Sequence, residues 1–210
     1  PTGWLTGIAS PSAFGATLSY TSAQNATMTF DVDGDDVDTL VVYYTMGLAW
    51  SSFDIYVNGA LRKTVDTNSA TTLFGQSAVV TGIGSGINTV QIRNRSNAFL
   101  VVEGIELIQA ESALTAGSYD ADDSRVSYIG NWVDYAGVGP EDGTLRYSAD
   151  LNATAVFRID GNGVTVNRTM ATGWGQMEVC IGLNNCTTFG GDAAVTLWSE
   201  PATVRSSISG

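Results

Sequence analysis

The sequence predicts an all-β protein: two tandem jelly-roll β-sandwich domains, the second lacking its last two strands. Three observations carry this expectation. The chain repeats itself, its apolar residues alternate with a period of two, and turn signals punctuate it every 8 to 12 residues, roughly the strand spacing of sandwiches.

The repeat comes first because it sets the organisation. The segment GATLSYTSAQNATMTFDVDGDDV (Gly15 to Val37) recurs as DGTLRYSADLNATAVFRIDGNGV (Asp142 to Val164). Thr17, Leu18, Tyr20, Asn25, Ala26, Thr27, Phe30, Asp33, Gly34 and Val37 return as Thr144, Leu145, Tyr147, Asn152, Ala153, Thr154, Phe157, Asp160, Gly161 and Val164. A short deletion follows, after which Trp50 matches Trp174, Ile55 matches Val179, Leu73 matches Leu197 and Phe74 matches Trp198. Upstream, Trp4 matches Trp132. The first copy runs on through Ile87 to Ala110, a segment for which the second copy has no equivalent. The domains are therefore expected at 1–112 and 113–210, joined by the short polar stretch QAESALTAG (Gln109 to Gly117).

Strands are expected where apolar residues alternate with Thr, Ser or charged residues. In copy one these are Ala26–Val32, Thr39–Met46, Phe53–Gly59, Thr89–Asn94 and Phe99–Ile108. In copy two they are Ala153–Ile159, Val164–Met170, Met177–Leu183 and Ala193–Ser199. Asp33-Gly34, Asp160-Gly161, Asn58-Gly59 and the glycine-rich Gly82 to Gly86 separate them as turns. No amphipathic helix is expected.

Copy two reads Tyr128, Gly130 and Trp132, then GTLRYS, then ATAVFRIDGNGV, then Trp174 before MEVCIGLN. Copy one supplies FDIYVNG, TTLFGQS and INTVQIRN, ending in VVEGIELI. Together these resemble the galactose-binding-like jelly rolls, relatives of carbohydrate-binding modules, that recur in tandem in secreted and cell-surface prokaryotic proteins. The resemblance implies the fold; such modules serve carbohydrate binding, adhesion or spacing. Asn88 departs from the pattern, where a His usually precedes Thr89.

Composition narrows the function. The 44% hydrophobic content suffices for packed cores. The net charge of -12, with Lys63 the only lysine, leaves no basic patch for nucleic acid or anionic lipid. No apolar run is long enough for a membrane helix. The opening at Pro1 suggests a processed or excised protein. Catalysis lacks its usual parts: there is no His, no activated Cys and no G-x-S-x-G elbow, so no enzyme is expected.

Cys180 and Cys186 flank a hairpin turn and are expected to form a disulfide, which implies an oxidising, extracellular or cell-surface location. Asn25, Asn94, Asn152, Asn167 and Asn185 open Asn-x-Ser/Thr sequons and are candidate glycosylation sites. The matched pair Asn25 and Asn152 reads equally well as a turn residue ahead of a strand. Asp31, Asp33, Asp35 and Asp36, with Asp38, crowd one hairpin as a candidate calcium site, the only cofactor contemplated; an acidic turn is the competing reading. Asp120, Asp122 and Asp123 form a second such cluster. Tyr43, Tyr44 and Trp50 are candidate sugar contacts, whereas the matched tryptophans are expected in the core.

Two functions compete on these grounds. The first is a non-catalytic structural or adhesive surface protein, a filament subunit whose second domain is completed by strands from a neighbouring copy, head to tail. The second is a carbohydrate-binding tandem module of a larger secreted protein, with glycans as partners.

Overall fold

The computed structural model describes residues 3–109, 111–182 and 185–205. The chain divides into two compact units, Pro1–Ala110 with Asp150–Thr154, and Glu111–Ala149 with Ala155–Gly210. Both are built from strands and turns, with one 3-10 turn each.

The first unit contains nine strands: β1 (Leu5–Ala9), β2 (Thr17–Thr21), β3 (Thr27–Asp33), β4 (Val37–Met46), β5 (Ser52–Val57), β6 (Ala60–Asp66), β7 (Leu73–Thr81), β8 (Ile87–Asn94) and β9 (Leu100–Gln109). They form two sheets, ordered β1-β2-β9-β4-β7 and β3-β8-β5-β6. This is a jelly-roll sandwich, and β8 and β9 are interior strands of their sheets. β8 is antiparallel to both β3 and β5. β9 is antiparallel to both β2 and β4.

Alternation explains the packing. On β5, Phe53, Ile55 and Val57 point inward, while Asp54 and Tyr56 take the opposite face. Val90 and Ile92 on β8 and Leu100 and Val102 on β9 do the same, meeting Leu40, Val42 and Tyr44 of β4 in one apolar cluster. Burying such side chains contributes roughly 1.5–3 kcal/mol each. Asn88, the departure from the family pattern, fastens the glycine loop ahead of β8. Its Nδ2 donates to the carbonyls of Gly84 at 3.0 Å and Gly86 at 2.8 Å. The outer strands β6 and β7 are shielded where Lys63 Nζ and Arg62 donate to carbonyls of Val79, Thr81 and Gly82.

The second unit contains β10 (Ser127–Ile129), β11 (Val133–Ala136), β12 (Thr144–Tyr147), β13 (Thr154–Val156), β14 (Gly163–Met170), β15 (Gln176–Ile181), β16 (Asn185–Gly190) and β17 (Leu197–Arg205). It repeats some irregularities of the first unit, although the slips of the β1–β2 and β5–β6 ladders have no counterpart in β11–β12 and β15–β16. The β4–β7 ladder slips between Tyr44 and Met46, and the β14–β17 ladder slips between their counterparts Arg168 and Met170. Left-handed backbone recurs at Gly15 and Asp142, Asn25 and Asn152, Ala49 and Gly173, and Gly75 and Ser199. The Gly173 amide donates to Asp192 just as the Ala49 amide donates to Asn68.

Strand extent differs as well. The expected strand Ala153–Ile159 is ordered as a strand only over β13, because β3 owes its length to pairing with β8 along all of it. The strand expected at Ala193–Ser199 begins instead at Leu197 and continues to Arg205, following β7. Leu183, at the end of another expected strand, lies outside the described residues.

Candidate functional site: the strand edges of the second unit

Among the described residues, the second unit has no counterpart of β8 or β9. Its strands accordingly stand as separate pairs, β11-β12, β14-β17 and β15-β16, with β13 turned to β10. In the first unit β8 joins β3 to β5, and β9 joins β2 to β4. The counterparts of β5 and β4, β15 and β14, each carry one unpaired edge, as does β12. Unpaired N–H and C=O groups along a strand are a template for another strand.

Side-chain burial follows the same line. Leu40, Val42, Phe53 and Val57 are fully buried in the first unit. Their counterparts Val164, Val166, Met177 and Ile181 are only half-buried, although Val179, the counterpart of Ile55 on the same strand, stays buried. Away from those edges the two units agree: Ala78 and Val80 are buried, and so are their counterparts Ala202 and Val204. The large apolar cluster lies wholly in the first unit. Trp174 and Trp198, expected in the core, are instead exposed. Trp4 is in the core as expected, Trp50 and Trp132 are half-buried.

Cys180 and Cys186 face each other across β15 and β16 and form the expected disulfide. It replaces Tyr56 and Arg62 of the first unit and staples the hairpin beside the unpaired edge of β15. Reduction is expected to weaken this hairpin by about 2 kcal/mol, the chain-entropy value for so short a loop. Amide exchange with and without reductant checks this: the β15–β16 amides should speed up while those of β5–β6 do not.

The other candidate residues do not assemble a site. Tyr44 is 2% exposed, lies edge-on to Phe53 and has its phenol pushed up to about 12 by burial and then the charge of Asp66. Tyr43 is covered by Phe14, stacked at 3.8 Å, and donates to Glu106 at 2.7 Å. Burial first, and that hydrogen bond second, push its phenol up as well. The Trp50 indole lies against Gly47, where a Cβ would come within 2.5 Å of the ring. None of the three therefore offers the open ring face a sugar needs; Phe14 and the turn at Gly47 supply the cover that alternation alone does not reveal.

The candidate calcium loop is also corrected. Asp33 accepts from the Asp35 amide, Asp35 from the Gly86 amide and Asp31 from the Thr89 hydroxyl, and Asp36 is exposed. These carboxylates fasten the turn and do not converge. Among the described residues, Glu178, Cys180 and Cys186 are the one close group of metal-ligand types, and its sulfurs are spent in the disulfide. In the second acidic cluster, Arg125 grips Asp123 through side-chain and backbone hydrogen bonds and holds its carboxyl down to about 2, while Asp120 accepts from Thr144.

Of the sequons, Asn94 is 0% exposed and donates to the carbonyls of Ala23 and Ala98, so the folded chain cannot carry a glycan there. Its place on β8, in step with the inward Val90 and Ile92, is the signal for that burial. Asn25 and Asn152 are exposed left-handed turn residues. Asn167 is exposed and donates to Glu141, and Asn185 donates to the Arg205 carbonyl.

One cluster emerges on the outer face of β5, β6 and β8. The buried Asp54 carboxylate meets Arg93 at 3.3 Å, Arg95 at 3.7 Å and the Thr64 hydroxyl at 2.7 Å. The Arg93 guanidinium hydrogen-bonds Tyr56 and lies over its ring. Burial pushes the Asp54 carboxyl up, but hydrogen bonds from Thr64, Arg93 and Tyr56 and the charge of Arg95 outweigh it, and the net shift is downward. A lowered folded value means Asp54 contributes stability that is present above the ordinary carboxylate range, near about 4, and lost as pH falls through that lower value. The stability gap between the native chain and Asp54→Asn should therefore shrink on acidification, as urea midpoints at about pH 6 and about pH 2 would report.

No protein-family model matches the chain, and no curated protein matches it. Solved structures do. The CBM36-1 domain of a multidomain xylanase from the hindgut metagenome of Trinervitermes trinervoides is 8% identical, with a TM-score of 0.37, over 45% of this chain and 79% of that one. The Podospora anserina GH26-CBM35 beta-(1,4)-mannanase is 14% identical, with a TM-score of 0.37, over 54% of this chain and 26% of that one. A Paenibacillus xanthan lyase is 11% identical, with a TM-score of 0.41, over 97% of this chain and 22% of that one.

Proposed function

We propose that this is a non-catalytic extracellular structural or adhesive protein of tandem β-sandwich units that associates through the strand edges of its second unit. In its simplest form, copies associate head to tail through these edges in a filament. One observation carries this reading: the second unit repeats strands of the first, with the slip of β4–β7 recurring in β14–β17, yet among the described residues it leaves unpaired edges that β8 and β9 satisfy in the first. Strand addition to such edges gains main-chain hydrogen bonds and apolar burial together. A heterologous contact of this kind builds an open chain where its rotation does not close into a ring. The disulfide suits an oxidising exterior.

Sedimentation velocity and negative-stain imaging over a concentration series test it. Concentration-dependent assembly into linear particles is expected. A chain that stays monomeric, with amides of β12 and β14 already slow to exchange, would count against it.

The outer face of β5, β6 and β8 favours a second reading, carbohydrate binding. Tyr56, Arg93, Asp54 and Thr64 place an aromatic ring, a guanidinium, a carboxylate and a hydroxyl in one row. A glycan array separates the readings. Binding abolished by Tyr56→Ala in a folded chain supports it, and no binding across diverse glycans removes it.

A further inference from the structure

We propose that Asn162 is a site of spontaneous covalent modification, where water converts the side-chain amide into aspartate and isoaspartate. The chain holds two Asn-Gly pairs, Asn58-Gly59 and Asn162-Gly163. In both, the asparagine is exposed and the following glycine has no Cβ to shield its nitrogen. As sequence the two pairs are equals; their surroundings set them apart.

Asn58 is held. It and Gly59 take the left-handed backbone of the tight turn between β5 and β6, at φ 50° and 77°. Its Nδ2 donates to Asn88 Oδ1 at 2.8 Å, and its Oδ1 accepts from the Thr89 amide at 2.9 Å. Its own amide donates to the Thr89 carbonyl at 2.8 Å. The side-chain amide is thus clamped to β8 at both ends. Asn162 has no such clamp. It lies in the bend ahead of β14, and among the described residues no group hydrogen-bonds its side chain. The glycine behind it serves packing. A Cβ on Gly163 would stand 3.1 Å from Arg205 Cγ and 3.2 Å from the Val204 carbonyl oxygen, at the first pair of the β14–β17 ladder. The ladder therefore keeps a glycine directly after an unrestrained asparagine.

The chemistry balances with solvent alone. Hydroxide takes the proton of the Gly163 amide, and the nitrogen attacks Asn162 Cγ. The new C–N bond closes a succinimide ring, and the Cγ–Nδ2 bond breaks to release ammonia. Water then opens the ring. Cleavage at Cγ leaves aspartate; cleavage at the main-chain carbonyl leaves isoaspartate, whose backbone runs through Cβ and Cγ. Either product adds a negative charge to a chain already at -12. Aspartate is also what the first unit has at this place, as Asp35. Isoaspartate lengthens the main chain immediately before Gly163, so the Gly163–Arg205 end of the ladder should fray. Asn58 must give up two hydrogen bonds before it can react, which at ordinary net strengths slows it about thirtyfold.

Incubating the full chain in mildly alkaline buffer, then digesting it for mass spectrometry, reads both sites at once. Each conversion adds a single mass unit, and fragmentation across the residue separates isoaspartate from aspartate. A parallel incubation in urea unfolds the clamp on Asn58. In the folded chain Asn162 should convert about thirtyfold faster than Asn58, with isoaspartate among its products, and in urea the two rates should converge. Equal conversion of the two asparagines in the folded chain would overturn the proposal. So would an Asn162 that converts in urea but not in the native fold, or one that converts in neither. Amide exchange at the Gly163 end of β14 should quicken in the isoaspartate fraction and not in Asn162→Asp, which adds the charge alone. Equal exchange in the two would overturn the fraying and leave the modification standing.

Discussion

Gly34→Ala should unfold the first unit at a markedly lower temperature, whereas Gly161→Ala should leave the second unit unchanged. The two glycines are repeat counterparts in Asp-Gly turns, but their surroundings differ. A Cβ on Gly34 would stand 1.5 Å from the Gly84 carbonyl oxygen and 2.7 Å from Asn88 Nδ2. Neither neighbour is free to yield. The Gly34 amide donates to the Gly86 carbonyl at 2.8 Å, Asn88 ties down the carbonyls of Gly84 and Gly86, and Asp35 accepts from the Gly86 amide. The turn and the loop ahead of β8 must separate to admit a methyl group. Overpacking costs up to about 3 kcal/mol, and backbone on both sides places this case at the upper end. For a unit of this size that lowers Tm by roughly 12 °C or more. Around Gly161 a Cβ meets nothing within 4 Å. Calorimetry of both variants, with amide exchange to assign each transition, decides it. Equal shifts would mean that the two turns are not distinguished by the loop ahead of β8.

The contrast shows which features were legible in the sequence. Repeated residues carried the fold because each marks a backbone requirement that recurs. Asn25 and Asn152 hold left-handed turns, and Asp33-Gly34 and Asp160-Gly161 lead into the matched strands β4 and β14. Alternation placed Phe53, Ile55, Val90 and Ile92 in the core, since the period of two assigns faces directly. The disulfide followed from two cysteines flanking a turn.

What escaped the sequence depends on neighbours from distant segments. Tyr43 and Tyr44 alternate across β4, so one of them was bound to face outward, yet Phe14 folds back over the outward one. Carboxylates crowded in sequence at Asp31 to Asp36 are dispersed because Asp31, Asp33 and Asp35 each bond a different amide or hydroxyl, while Asp36 is exposed. The row of Thr64, Asp54 and Arg93 required the register of three strands, which pattern alone does not fix. Its trace was present nonetheless: Asp54 recurs as Glu178 and Thr64 as Thr188.

Glu103→Leu should destabilise the first unit by about 4 kcal/mol, because one buried carboxylate holds three donors from separate segments. Oε1 accepts from the Thr45 hydroxyl at 2.6 Å and the Gly75 amide at 2.9 Å, and Oε2 accepts from the Phe14 amide at 2.6 Å. Leucine fills similar space and leaves two backbone amides with no acceptor, at roughly 1–3 kcal/mol each, while the Thr45 hydroxyl can turn away. Glu103→Gln keeps one acceptor oxygen and should cost about half as much. The Phe14 turn would loosen and uncover Tyr43, so tyrosine fluorescence should change before global unfolding in urea. Thr45→Val should cost less in the Glu103→Leu background than in the native one, the mark of a shared network. A neutral Glu103→Leu would refute the arrangement. The second unit provides the internal control. The counterpart of the Phe14 amide belongs to Glu141, which donates instead to the hydroxyl of Ser199, the counterpart of Gly75, at 3.3 Å. That bond is long and exposed, so Ser199→Ala should cost about 0.5 kcal/mol or less. The same two backbone positions are thus bridged by a buried carboxylate on β9 in one unit and meet directly in the other. The large effect belongs where the interior strand supplies the acceptor.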